Sequence, residues 1–230
     1  MTAPGSRRFA VALGMLVLAL SVMAAHLATR TPASRIRVAC VGDSITEGEG
    51  VEDRAMRYPE SLGALLGDGY DVRNFGVSGS TMLDAGDVPY KKQRAYRQAL
   101  DFRPDIVVIA LGTNDSKPWN WSRREAFAAD AKALVAAFRN VNPGARVFLC
   151  RPVPVVGAGN YGIRGDVVKG DITEIIDRAA RELGVEVIDL HGPLEGKLEL
   201  IPDRVHPNGE GARLIADAVH RALTRPRPAG

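Results

Sequence analysis

From Arg35 onward, short apolar runs rich in β-branched residues alternate with longer stretches whose apolar side chains recur at helical spacing. The runs are Ile36 to Val41, Asp71 to Phe75, Asp105 to Leu111, Arg146 to Cys150 and Val185 to Leu190. Strands that alternate with helices in one chain pair in parallel and are buried by helices on both faces. The chain is therefore expected to be an α/β protein, a three-layer α/β/α sandwich around a five-stranded parallel sheet. Ligands of such sheets bind beyond the carboxyl ends of the strands, so the residues just after each run deserve scrutiny.

The clearest helix is expected to start at Ser122, where Ser-x-x-Glu with Glu125 has the form of a capping box. Phe127, Ala131, Leu134, Val135 and Phe138 then make one apolar stripe that stops near Asn142-Pro143-Gly144. A second helix is expected from about Asp166 to Leu183, with Ile172, Ile175, Ile176 and Ala179 inward and Gly184 as its stop. A third, from about Gly209 to Leu223, buries Leu214, Ile215 and Val219, and the Arg225-Pro226-Arg227-Pro228 tail cannot continue it.

Residues 1–30 have a different plan. Arg7 and Arg8 precede an apolar run from Phe9 to Ala25, which Ser21 alone interrupts, and a polar stretch follows. This is the layout of a signal peptide with small residues for cleavage at Val22-Met23-Ala24; an uncleaved N-terminal membrane anchor over 9–25 is the alternative. Either implies export, periplasmic or secreted, with a folded domain over 31–230. The formal charge of +3 arises entirely in this segment, which holds Arg7, Arg8 and Arg30 and no acidic residue. The remainder is electrically balanced, which argues against nucleic acid as a partner and leaves membrane contact to the N-terminal segment. The two cysteines, Cys40 and Cys150, both lie in strand-like runs and offer no disulfide framework and no Cys-x-x-Cys site.

Four segments follow the strands: Gly42-Asp43-Ser44-Ile45-Thr46, Asn74-Phe75-Gly76-Val77-Ser78-Gly79-Ser80, Gly112-Thr113-Asn114-Asp115 and, later, Asp203-Arg204-Val205-His206-Pro207-Asn208. Acyl transfer to a serine needs a hydroxyl at a tight strand-to-helix turn, a base, a group that orients the base, and donors for the oxyanion. Ser44 fits the nucleophile, His206 the base and Asp203 its orienting carboxylate. The Ser44 and Gly79 backbone N–H groups and the Asn114 amide could be the donors. Taken singly, each segment reads more readily as a cap, an Asx-turn, a bend or a surface pair. Their joint occurrence, each after its proper strand, points to a hydrolase site.

These segments resemble the blocks of the SGNH, or GDSL, hydrolase family of esterases and lipases. Ser44, Gly79, Asn114 and His206 fall on the residues that name the family, and Asp203 on its Asp-x-x-His partner. The resemblance spans about Ile36 to Leu223 and implies a flavodoxin-like sheet of order 2-1-3-4-5. It also implies a serine nucleophile, a histidine base, a three-donor oxyanion hole, and neither metal nor organic cofactor. In that order Cys40 and Cys150 are not on neighbouring strands, so two free buried thiols are expected. The strings around Gly79, Asn114 and Arg151-Pro152-Val153-Pro154 are similar to those of exported bacterial sialate O-acetylesterase-like carbohydrate esterases.

Asp43, Trp119, Trp121 and Tyr161 are candidate substrate contacts, the two tryptophans as stacking surfaces for sugar rings, with core packing or simple exposure as the alternative. Gly157-Ala158-Gly159-Asn160-Tyr161-Gly162 matches a dinucleotide-binding pattern, but no helix is expected to open at its glycines, and a substrate-side loop is the better reading. His191 and His220 are weaker candidates for the base. The expected function is hydrolysis of short acyl esters, acetyl above all, of a small-molecule or polysaccharide substrate. A lysophospholipase or thioesterase and a non-catalytic carbohydrate-binding module are the alternatives.

Overall fold

The computed structural model describes residues 35–226, and the expected leader lies outside them. Strands β1 (Ile36–Gly42), β2 (Tyr70–Gly76), β3 (Ile106–Ala110), β4 (Arg146–Arg151) and β5 (Glu186–Asp189) form one parallel sheet in the order β2-β1-β3-β4-β5. Each lies within one residue of the run expected for it.

The apolar runs lack polar alternation because both faces of the sheet are covered. On one face Val38 and Cys40 of β1, Val108 of β3 and Phe148 of β4 pack with Tyr58 and Leu62 of one helix and Ile215 and Val219 of another. On the other, Ala39, Val41, Val107, Ile109 and Leu149 pack with Ala99, Leu134, Phe138, Ile176 and Ala179. The helices are α1 (Ser44–Glu47), α2 (Tyr58–Leu66), α3 (Arg94–Asp101), α4 (Pro118–Trp121), α5 (Phe127–Val141), α6 (Thr173–Leu183) and α7 (Gly209–Thr224). Helices α2 and α3 were not expected from sequence; each is too short to display a repeat, and α3 buries only Ala99.

The capping box expected at Ser122 does not form. Ser122 Oγ donates to the Trp119 carbonyl at 2.8 Å, a 3-10 turn occupies Arg124–Ala126, and α5 starts at Phe127 with no side-chain cap. The short helix α4 ends just before this stretch, with Ser122 as its C-cap and Trp121 buried edge-on against Phe127. The helix expected over 166–183 is present in three pieces: a turn at Gly165–Val167, a π-helical stretch at Val168–Ile172, and α6, which Gly184 ends in the left-handed conformation. Asn208 caps α7 by accepting from the Gly211 N–H. Cys40 and Cys150 are free and buried, on strands separated by β3, and burial pushes the Cys40 thiol up to about 12.

At the carboxyl end of β2, Gly76 passes directly beneath α1. A Cβ there would lie 2.2 Å from the Glu47 nitrogen, so no side chain fits between strand and helix. Because the obstacle is backbone, no rotamer change relieves it. Gly76→Ala is expected to destabilise the fold by about 2 kcal/mol or more, read as a lower urea midpoint. An unchanged midpoint would contradict this packing.

Candidate active site

Helix α1 begins one residue beyond β1. Asp43 caps it, its Oδ1 accepting the Ile45 N–H at 3.0 Å, and this turn sets Ser44 at the start of the helix. Ser44 Oγ lies 2.8 Å from His206 Nε2, although 162 positions separate the two in the chain. On the far side of the ring, His206 Nδ1 is 2.6 Å from Asp203 Oδ2. An ionised Asp203 only accepts, so Nδ1 carries the imidazole proton and Nε2 is left to accept from the serine.

Asp203 is itself held in place. Its Oδ1 accepts the backbone N–H groups of Val205 and His206 at 2.9 and 2.6 Å. Partial burial opposes its charge, but these bonds and the one to the imidazole outweigh that and hold its pKa below the ordinary carboxylate value. The turn is tight enough that Arg204 adopts φ 74°, a left-handed conformation uncommon for a side chain with a Cβ. The 155–164 loop clasps it: Val156 N–H donates to the Arg204 carbonyl, and Asn160 Nδ2 to that of Asp203.

The donors for an oxyanion emerge from tracing the N–H groups of the β2 loop. Val77 donates to Gly42, Ser78 to the Glu47 carboxylate, Ser80 to Val77, Thr81 to Val88, and Met82 and Leu83 to the Asp115 carboxylate. Among the described residues, the Gly79 N–H has no acceptor, and neither does that of Ser44. Gly79 has φ 78°, a region glycine enters at no steric cost. Asn114 Nδ2 spends one hydrogen on the Ser80 carbonyl at 3.2 Å and keeps the other free. Ser44, Gly79, Asn114 and His206 all line one cavity of about 210 Å³, together with Glu49, Ser78, Lys117, Tyr161 and Ile163.

A serine, a correctly protonated imidazole, an orienting carboxylate and unpaired donors around one small cavity can carry out acyl transfer. The sequence profile of the GDSL-like lipase/acylhydrolase family matches residues 40–214. The chain belongs to this family. It is 40% identical over 207 residues to an acetylxylan esterase from Xylanibacter ruminicola, with 82% of this chain covered; the chain spans 43% of that relative's length. Among solved structures it is similar to an acetyl xylan esterase, at 26% identity and TM-score 0.65, covering 82% of this chain and 100% of that one. A carbohydrate acetylesterase from Sinorhizobium meliloti shares the fold at 21% identity and TM-score 0.66, covering 82% and 98%.

Other candidates fare differently in this GDSL-like chain. Tyr161 lines the cavity, its ring 5.7 Å from that of His206. Trp119 does not line the cavity; it is half exposed beside Gly162 and donates its indole N–H to Asp87. Trp121 is not a substrate contact: it is 4% exposed, packs on Phe127 and donates to Asp171. Asp43 is not one either, since it lies buried beneath the nucleophile turn, capping α1. His191 and His220 do not line the cavity. The glycine-rich 157–162 segment is a loop, with the next helical turn starting only at Gly165. It turns Tyr161 toward His206 and Asn160 toward Asp203.

Asp115 escaped the sequence reading as anything beyond a cap. It is fully buried, and its two oxygens take the Met82 and Leu83 N–H groups, which ties the β3 loop to the β2 loop. Lys117, 3.6 Å from Asp87, and Glu49 also line or border the cavity without having been singled out, because no spacing rule marks them.

Burial pushes Asp43 up to about 6 and Asp115 up to about 7, the latter with help from its neighbour Asp43. Unfolded aspartates titrate near pH 4, so between about pH 4 and 7 the folded chain binds more protons than the unfolded one. The stability these groups contribute is full below pH 4 and is lost as pH rises through 6 to 7. Urea unfolding across this range should show Asp43→Asn with a shallower decline than the wild type; equal slopes would contradict the shift.

Proposed function

We propose that the chain is a serine esterase that removes acetyl groups from carbohydrate hydroxyls through an acetyl-Ser44 intermediate. His206 Nε2 takes the Ser44 proton as Oγ attacks the ester carbonyl, and Asp203 stabilises the imidazolium that results. The oxyanion is held by the Ser44 and Gly79 N–H groups and the Asn114 amide. Collapse breaks the bond to the sugar oxygen, which leaves with the proton from His206. Water, deprotonated by the same imidazole, then attacks the acetyl group, and acetate and free Ser44 are regenerated.

The observation that carries this reading is the hydrogen-bonded series Ser44–His206–Asp203, at 2.8 and 2.6 Å, opening on a cavity with unpaired donors. The acetyl preference is supported by the 40% identity to an acetylxylan esterase and by a cavity of about 210 Å³, small for a long acyl chain. The exposed aromatic faces of Tyr161, at the cavity wall, and of Trp119, beside Gly162, support a sugar substrate as surfaces against which rings stack. The basic and apolar pattern of residues 1–30 supports action outside the cytoplasm. A non-catalytic sugar-binding module would have no need of the aligned Ser44, His206 and Asp203.

The test is acetate release from p-nitrophenyl acetate and acetylated xylan, with p-nitrophenyl palmitate for comparison. Wild type should turn over the acetyl esters and neglect the palmitate. Ser44→Ala and His206→Ala should fall to background, and Asn114→Ala should lose roughly a hundredfold in kcat. Turnover that survives Ser44→Ala would sink the proposal.

A further inference from the structure

The loop that offers the Gly79 N–H is not held by sheet hydrogen bonds alone. Glu47, at the end of the nucleophile's own helix α1, reaches across to Ser78. Its Oε2 accepts both the Ser78 backbone N–H and the Ser78 hydroxyl, each at 2.6 Å. Gly79 is the next residue, and its N–H belongs to the peptide that follows Ser78. The angle at which that donor enters the cavity therefore depends on how Ser78 is held.

Gly76 brings the two segments together, since it lets β2 pass close to the Glu47 backbone. From there the Glu47 side chain turns the loop without leaving its own element. We propose that Glu47 is a positioning residue: through Ser78 it fixes the Gly79 donor relative to Ser44, so that nucleophile and oxyanion donor move as one unit.

The alternative holds for the loop are weaker on this side. Val77 is bonded to Gly42 and Ser80 to Val77, which leaves the Ser78–Gly79 peptide itself without a backbone partner among the described residues. Glu49 is a second acceptor near the Ser78 hydroxyl, at 3.0 Å, but one hydroxyl proton serves only one carboxylate at a time. Glu49 does not reach the Ser78 N–H, so the two-point grip belongs to Glu47.

The inference rests on the esterase reading, and the experiment separates the two. Steady-state kinetics on p-nitrophenyl acetate would compare the full chain with Glu47→Ala and Glu47→Gln. A donor that is displaced rather than deleted costs part of what its removal would, so Glu47→Ala should lower kcat about tenfold with KM unchanged. The Gln carbonyl oxygen can accept from both Ser78 groups, so Glu47→Gln should recover most of the loss. Inactivation by a p-nitrophenyl phosphonate, whose phosphonyl oxygen occupies the same hole, should slow in parallel with kcat.

Unchanged kcat in Glu47→Ala, a loss confined to KM, or a Gln variant as impaired as Ala would each overturn the positioning role. A lowered melting temperature shared by both variants while only Ala loses kcat would support it, because stability alone would not split them. A wild type that turns over no ester overturns the esterase reading and the inference with it.

Discussion

Parallel pairing of β1 between β2 and β3 is the constraint on which the site depends. Parallel strands present their carboxyl ends on one edge, so the segments after β1, β2 and β3 must emerge side by side whatever their separation in the chain. Ser44, Gly79 and Asn114 come from those three segments, and the loop before α7 returns His206 to the same edge. Burial of both faces of the sheet fixes the register of this edge, because a slip of one residue would send Val38 and Cys40 to the face that Ala39 and Val41 occupy.

Above that edge, the site is stiffened by carboxylates that accept from backbone. Asp43 holds the nucleophile turn, Glu47 the Ser78 peptide, Asp115 the Met82 and Leu83 peptides, and Asp203 the two peptides before the imidazole. These bonds occupy most N–H groups around the cavity and, among the described residues, leave those of Gly79 and Ser44 unpaired. Preorganisation of this kind means that no dipole must turn as charge develops. It has an energetic cost: Asp43 is buried, and desolvation raises its pKa toward neutrality.

Strands and site residues were readable in the sequence for different reasons. Each strand is a run of β-branched and apolar residues, because a doubly covered sheet needs both faces apolar, and every expected run met its strand. Ser44, Gly79 and Asn114 were readable because the chemistry demands those residue types in the loops after strands, and Asp203 and His206 because they pair an acid and a base three residues apart before the last helix. The short helices α2 and α3 were not, since neither completes enough turns for a periodic signal. The capping box at Ser122 misled because a local hydrogen-bond pattern was overridden by the need to bury Trp121 against Phe127. Trp121 misled as a substrate contact, since an aromatic near a site looks the same in sequence whether it faces sugar or core.

By itself the sequence determined the layered α/β architecture, the edge of the sheet that bears the site, and the residues able to act there, because periodicity and residue chemistry are local properties. Tertiary structure decided whether Oγ and Nε2 come within hydrogen-bond distance across 162 positions, which N–H groups remain unpaired, and which carboxylates hold them. Those outcomes depend on distances between segments remote in the chain, and such distances are set only when both faces of the sheet are packed.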